Sequence, residues 1–251
     1  MAVYTRINQN DLSLIEKNFN IGKIVSFSGI KKGIENTNYL IKTNKKKIIL
    51  TIFEKRVQKK DLPFFMNLMF GLSKNKIKCP EPIKNKKGKY LFQIKNKTAC
   101  LVSFLEGKDK NQLTNKDCFQ VGKNAALLHL AAKKLRLYRK NSLSVNSWGP
   151  LLNRIDKRIN KLSSNLIDTM RTDLVDIKKK WPKRMPNGII HSDLFIDNIF
   201  FYKKKYYGFI DFYFSANDFL AYELATCVNA LCFKKRNKIF ILDKSKSSQL
   251  L

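Results

Sequence analysis

The stretch HSDLFIDNIFFYKKKYYGFIDFYF, from His191 to Phe214, sets two acid-bearing clusters among aromatic and aliphatic residues. Carboxylates surrounded by Phe, Ile and Leu need a cation, a hydrogen-bond network or a metal. A carboxylate at Asp193 can take a proton from a hydroxyl. The amide oxygen of Asn198 and the carboxylate of Asp211 are hard oxygen donors of the kind that hold Mg2+. A positioned base and a metal that neutralises phosphate oxygens are the parts phosphoryl transfer requires.

These residues need a hairpin to hold them. Ile189-Ile190 reads as a short strand leading into His191, and Ile199–Tyr202 as another. Lys203-Lys204-Lys205 is the turn, and Tyr207–Ile210 returns to Asp211. Asp193 and Asn198 then sit on the approach and Asp211 on the exit. Asp and Asn also favour plain turns, but their joint spacing inside apolar strands argues for chemistry.

Further back, the spacing predicts a short helix within residues 1–20, with Asp11 ahead of Leu12, Leu14, Ile15 and Phe19. Asn38–Thr43 and Lys47–Phe53 read as a β-hairpin, preceded by the Gly29–Gly33 segment. DLPFFMNLMFGLSKN reads as a helix capped by Asp61, with Pro63 in its first turn and Phe65, Leu68, Met69 and Leu72 on one face. More strand follows around a Lys87-Gly88 turn, and Ala99–Leu105 reads as a buried strand ending at Glu106-Gly107. Composition then shifts to helix. Thr114 and Asp117 resemble a capping box, and Cys118, Val121, Ala125, Leu128 and Ala132 keep helical spacing. Further helices are expected over Trp148–Leu162, Asn165–Trp181 and Ala221–Phe233. The layout is a mostly β first part and a mostly α second part.

Composition narrows the function classes. A formal charge of +31 over 251 residues invites a nucleic-acid or anionic-lipid reading. The basic residues are mostly Lys and are spread through every segment, and aromatic–basic interleaving is absent, so no nucleic-acid partner is expected. No apolar run suits a membrane span and the start does not read as a signal peptide, so no membrane partner is expected. Five cysteines without a C-x-x-C pair fit reduced thiols and a cytoplasmic location. Two histidines are too few for a His-rich zinc site. His129 reads as a structural hydrogen-bonder, and Cys227 and Cys232 as core.

His-x-Asp-x4-Asn followed by Ile-Asp-Phe resembles the catalytic loop and metal-binding acid of the aminoglycoside phosphotransferase branch of the protein-kinase-like fold. GIENTNYL, ILTIFEKRV, DLPFFMNLM, HSDLFIDNIFF and FIDFYFSANDFLAYELATCVNALCF together resemble the bacterial homoserine kinases of that branch, in order and over nearly the whole chain. The resemblance implies an α+β, two-lobe protein-kinase-like fold: a small antiparallel β-sheet N-lobe over 1–106 and a mostly α-helical C-lobe over 107–251. It implies ATP-dependent phosphorylation of the side-chain hydroxyl of L-homoserine, on the route to threonine, with ATP and Mg2+ as cofactors. Asp193 is then the base, Asn198 and Asp211 the metal ligands, and His191 a support of the loop. Gly33, Asn36 and Asn38 fall in the nucleotide-covering turn, and Ser103, Phe104 and Leu105 on the adenine-binding bridge.

Three alternatives stay open. The same fold could serve an aminoglycoside, choline or methylthioribose. The chain could bind nucleotide without turnover. The charge could serve RNA. Two departures from the resemblance matter. Thr51 stands where the fold usually has its phosphate-binding Lys, and the helix at Leu62–Leu72 holds no acid to partner one. Lys55 or Arg56 is the candidate cation. Strand alternation puts Lys55 on the face of Thr51 and favours it. Glu35 in the nucleotide turn would repel phosphate unless it faces away. Asp218 and Glu223 could bind an acceptor's amino group, or Asp218 could cap the helix beginning near Phe219. The second departure is at the end: the resembling kinases continue with more C-lobe helices. A truncated C-lobe is therefore expected, with Leu224, Val228, Leu231 and Cys232 short of cover and little help from Ile239–Leu242.

Overall fold

A computed structural model describes residues 3–33, 35–155, 165–237 and 239–251. Its first part is a five-stranded antiparallel sheet in the order β1-β2-β3-β5-β4: β1 Ile24–Gly29, β2 Thr37–Thr43, β3 Lys47–Ile52, β4 Leu91–Ile94 and β5 Lys97–Ser103. The expected hairpin is β2–β3, in register from Thr37 opposite Ile52 to Lys42 opposite Lys47. Alternation gives the sheet two faces. Ile48, Leu50 and Ile52 of β3 join Ala99 and Leu101 of β5 in a core closed by Leu12, Ile15 and Phe19. Leu12 and Ile15 belong to helix α1 (Gln9–Asn18). The intervening Ile49, Thr51 and Val102 face a cleft instead.

The first two helices start in different ways. α1 is capped by Asn8, whose side chain accepts from Asp11 N at 3.2 Å, while Asp11 Oδ2 accepts from Asn8 N at 2.8 Å. Asp11 is therefore the far half of a capping box. Helix α2 (Leu62–Lys74) buries Leu62, Phe64, Phe65, Met66, Leu68, Met69 and Leu72. Each such side chain contributes about 1.5–3 kcal/mol on burial. Asp61 does not cap it: its backbone is already helical and its side chain makes no cap bond. The carboxylate instead takes Arg139 Nε at 2.8 Å, and Arg139 Nη1 reaches Ser215 O at 3.0 Å. A long-range cation has outcompeted the local cap, and it ties α2 to the segment after Asp211.

The second part is mostly helical: α3 Asn115–Lys133, α4 Val145–Ile155, α5 Leu166–Lys180, α6 Leu220–Leu231 and α7 Lys244–Leu250. The Thr114–Asp117 capping box opens α3. The helix expected from Trp148 starts earlier, and residues 156–162 of that expectation lie outside the described ones. Between the helices run β6 Asn187–Ile190, β7 Ile199–Tyr202, β8 Lys205–Phe209 and β9 Ala216–Phe219, pairing β6 with β9 and β7 with β8. A second core joins Phe65 and Leu68 of α2, Val121 and Leu128 of α3, and Leu194, Ile199, Phe209 and Phe212 around the hairpin.

The last residues do more than expected. β10 (Phe233–Arg236) and β11 (Ile239–Leu242) form a hairpin whose Ile239, Phe240, Ile241 and Leu242 are exposed. α7 then docks on α3 so closely that a Cβ at Gly122 would lie 1.8 Å from Leu250 O. The polar look of KSKSSQL hid this contact, in which Leu250 joins the second core. All five cysteines are buried free thiols. Among the described residues no helix is long and apolar enough to cross a membrane.

Candidate active site

β6 delivers His191 to the site, where it is fully buried. Its Nε2 lies 2.9 Å from Ile210 O, and a carbonyl only accepts, so Nε2 carries the proton. Nδ1 has no partner. Burial lowers the imidazole's pKa and outweighs the opposing pull of Glu223, so the ring is neutral. Its ring sits 4.4 Å from that of Phe212. His191 thus pins the loop of Asp193 to the strand end that presents Asp211.

Two residues beside the chemistry have left-handed backbones: Ser192 at φ +70° and Asp211 at φ +64°. Non-glycine residues hold such conformations only when their surroundings compel it. Glu223 supplies the compulsion at Ser192. It is fully buried, and accepts from Ser192 N at 2.7 Å, His191 N at 3.0 Å and His129 Nε2 at 2.7 Å. Burial alone would raise its pKa. The His129 hydrogen bond and the His191 backbone donor outweigh that and hold it low. The possibility that Glu223 binds an acceptor's amino group is therefore corrected: both oxygens are occupied in shaping the loop. Asp218 is likewise engaged, by Asn141 Nδ2 at 2.7 Å and Phe219 N at 2.8 Å, and the cap position of α6 is Phe219.

The cleft has two chambers. One, of about 260 Å³, lies under the sheet and is walled by Ile30, Ile49, Val102, Phe104, Leu105 and Ile210. Ser103, Gly33 and Asn38 also line it, so five of the expected nucleotide residues meet there, whereas Asn36 lines only the other chamber. Gly33 has φ +105°, which a side chain would strain. Thr51 Oγ1 donates to Asn38 Oδ1 at 2.8 Å, so the usual lysine position holds a neutral pair. The other chamber, of about 630 Å³, opens between the turn of Glu35 and Asn36, the loop of Asp193 and the helix α6. Asn38, Asp197, Asn198 and Asp211 line both.

The preferred cation, Lys55, lines neither chamber. β3 ends at Ile52, so strand alternation does not extend to residue 55 and the argument for it fails. Arg56 does line the second chamber, paired to Glu35, and its guanidinium lies 4.9 Å from the Phe214 ring centre. Glu35 thus faces the chamber with a partner already in place. Among the described residues the basic one lining the first chamber is Lys32, paired to Asp109. Lys32 escaped the sequence reading because the segment holds adjacent lysines and nothing local separates their directions. Tyr222, Thr226 and Asn229 of the second chamber were legible as a polar stripe at helical spacing within an apolar helix.

Asn198 Nδ2 donates to both Asp193 O and Asp193 Oδ2 at 2.8 Å. The amide oxygen makes neither bond and stays available as a donor to a cation. Burial, then the Asp211 charge, push Asp193 up to about 7 against the pull of Asn198. Crowding by the cleft walls, then Glu35, push Asp211 up to about 6, although its carboxylate remains open to solvent through the cleft. Among the described residues no Lys or Arg forms an ion pair with Asp193, Asp197 or Asp211. Unneutralised carboxylates beside a free amide oxygen fit a hard divalent cation that takes its remaining ligands from phosphate and water.

The description "Phosphotransferase enzyme family" matches residues 26–240. A homoserine kinase of Allorhizobium ampelinum is 44% identical over 94% of this chain and 73% of its own length. That of Brucella ovis is 40% identical over the whole chain and 76% of its own length. Among solved structures, amicoumacin kinase in complex with AMP-PNP and Ca2+ superposes with a TM-score of 0.73 at 14% identity, over 97% of this chain and 76% of that one. Choline kinase from Cryptosporidium parvum does so with 0.68 at 16%, over 94% and 73%. These last two share the fold alone. The chain belongs to the phosphotransferase enzyme family, alongside the bacterial homoserine kinases it resembles over 94% or more of its own length.

Proposed function

We propose that this protein transfers the γ-phosphate of ATP to the side-chain hydroxyl of L-homoserine, giving O-phospho-L-homoserine on the route to threonine. The observation that carries the reading is the junction of the two chambers at Asp197, Asn198 and Asp211, with Asp193 facing the larger chamber. An apolar slot on one side suits a purine, and a polar chamber on the other suits a small hydroxyl acceptor. The 40–44% identity to homoserine kinases supports the acceptor.

The residues have separate tasks. The N-lobe, 1–106, covers the nucleotide. Ser103, Phe104 and Leu105 hold its base, Gly33 and Asn38 cover its phosphates, and Lys32 supplies the cation that Thr51 does not. Asn198 and Asp211 hold Mg2+, which when bound neutralises charge on the phosphate oxygens. Asp193 accepts the acceptor's hydroxyl proton while that oxygen bonds to the γ-phosphorus. The bond from that phosphorus to the bridging oxygen breaks and ADP leaves. Asn198 fixes the Asp193 carboxylate in the orientation this transfer needs. Five unpaired thiols support a cytoplasmic setting.

Coupled ADP release tests the reading, with L-homoserine, choline, methylthioribose and an aminoglycoside as acceptors. ADP release with homoserine well above the others is expected. Equal rates without acceptor, or a preference for another alcohol, would overturn it.

A further inference from the structure

We propose that the Glu35–Arg56 ion pair is the receptor for the charged head of the acceptor: Arg56 takes the α-carboxylate of the amino acid and Glu35 its ammonium. The inference rests on the homoserine reading above and names what selects that substrate. It starts from a mismatch. Among the described residues, the chamber that faces Asp193 is lined by four acids, Glu35, Asp193, Asp197 and Asp211, and by one cation, Arg56. An anionic head group entering there has one favourable destination.

Arg56 is built to receive it. Its guanidinium lies over the Phe214 ring, 4.9 Å from the centroid, which fixes its plane. Nη1 is paired to Glu35, and the side chain is still 56% exposed. A guanidinium has five N–H donors in a planar fork, so one ion pair leaves a bidentate edge for a carboxylate. Glu35 is far less exposed, at 18%. It shares the chamber with three other carboxylates, and a single partner leaves acceptor capacity for an ammonium. A zwitterion set across this pair meets opposite charge at each end.

The remaining walls agree. Tyr222, Thr226 and Asn229 come to the chamber from one face of α6 and offer neutral hydrogen-bonding groups in its wall.

The test pairs substrate deletions with side-chain deletions. 3-Amino-1-propanol is homoserine without its carboxylate, and 4-hydroxybutyrate is homoserine without its ammonium. In the unmodified protein each analogue should have a kcat/KM about 10²-fold below homoserine, the loss typical of breaking one charged contact. Arg56→Gln should lower kcat/KM for homoserine by a similar factor, chiefly through KM, and leave 3-amino-1-propanol unchanged, so the carboxylate no longer matters. Arg56→Lys should restore part of the difference. Glu35→Gln should in the same way abolish the penalty for 4-hydroxybutyrate. The KM for ATP and the thermal shift on nucleotide binding should be unaltered, which also shows that the variants are folded. A rise in KM for ATP in Arg56→Gln, with the penalty for lost carboxylate intact, would make Arg56 a phosphate ligand and overturn the proposal. If the unmodified protein phosphorylates a different alcohol and ignores homoserine, the underlying reading fails, and this proposal with it.

Discussion

At the residue scale the site rests on how one carboxylate is held. Asp193→Asn preserves the shape of the side chain and its neighbours but removes the proton acceptor. kcat should fall by about 10²–10⁴, the usual worth of a general base, with nucleotide binding retained. Steady-state turnover and a nucleotide titration on the same variant check both halves, and near-normal turnover would remove Asp193 from the role. The same carboxyl makes stability depend on pH. Asp193 at about 7 and Asp211 at about 6 both stand above the ordinary 3.8. The folded state therefore favours their neutral forms. Their contribution is fully present below about pH 4 and is lost as pH rises through 6 and 7. The melting temperature of the ligand-free protein should fall over that range, and Asp211→Asn should flatten the fall. A profile that instead rises through pH 6–7 in the ligand-free protein, and does not respond to Asp211→Asn, would contradict the assignment.

Asp193, Asn198 and Asp211 were legible in the sequence because one hairpin carries them, and the hairpin's signals are local. Glu223 was not. Its three donors sit at His129, His191 and Ser192, and its burial is set by helices that meet only in the folded chain. An acid in a helix's first turn reads from sequence as a dipole partner or a ligand. The capping of α2 failed for a related reason: Arg139 is 78 residues from Asp61.

At the element scale the strands followed their alternation and the helices their apolar spacing, because both patterns report burial directly. Boundaries moved at the ends of elements, as at Val145 and at Ile52. The docking of α7 on α3 is the element least visible in the sequence and the one most open to a sharp test. Gly122→Ala would place a methyl carbon against the Leu250 carbonyl. One helix has to shift, since the clash is with backbone. We expect a loss of about 1–3 kcal/mol, the usual cost of overpacking. Denaturant unfolding measures it, and an unchanged midpoint would show that α7 is not held there.

At the scale of the whole molecule, two cores share one sheet. One lies between the sheet and α1, and the other runs from the sheet's cleft face through α2 and α3 to the hairpin of the active site. β3 and β5, buried on both faces, should hold the slowest-exchanging amides. The β10–β11 hairpin, with both strands exposed along their length, should exchange fastest among the strands. Hydrogen exchange read by mass spectrometry gives this ranking, and slow exchange in β10–β11 would mean that another surface covers it.

The five thiols make the molecule its own reporter. Burial pushes Cys79, Cys100 and Cys118 up to about 12, and Cys227 and Cys232 also upward, so in the folded chain no thiolate is available to an alkylating reagent. Each becomes reactive only when its surroundings open. Cys79 and Cys100 sit against α2 and Tyr213 beneath the sheet, whereas Cys118, Cys227 and Cys232 sit where α3, α6 and the last helix meet. Pulse alkylation followed by peptide mapping would time the opening of each region separately, in the unaltered protein and without an engineered label.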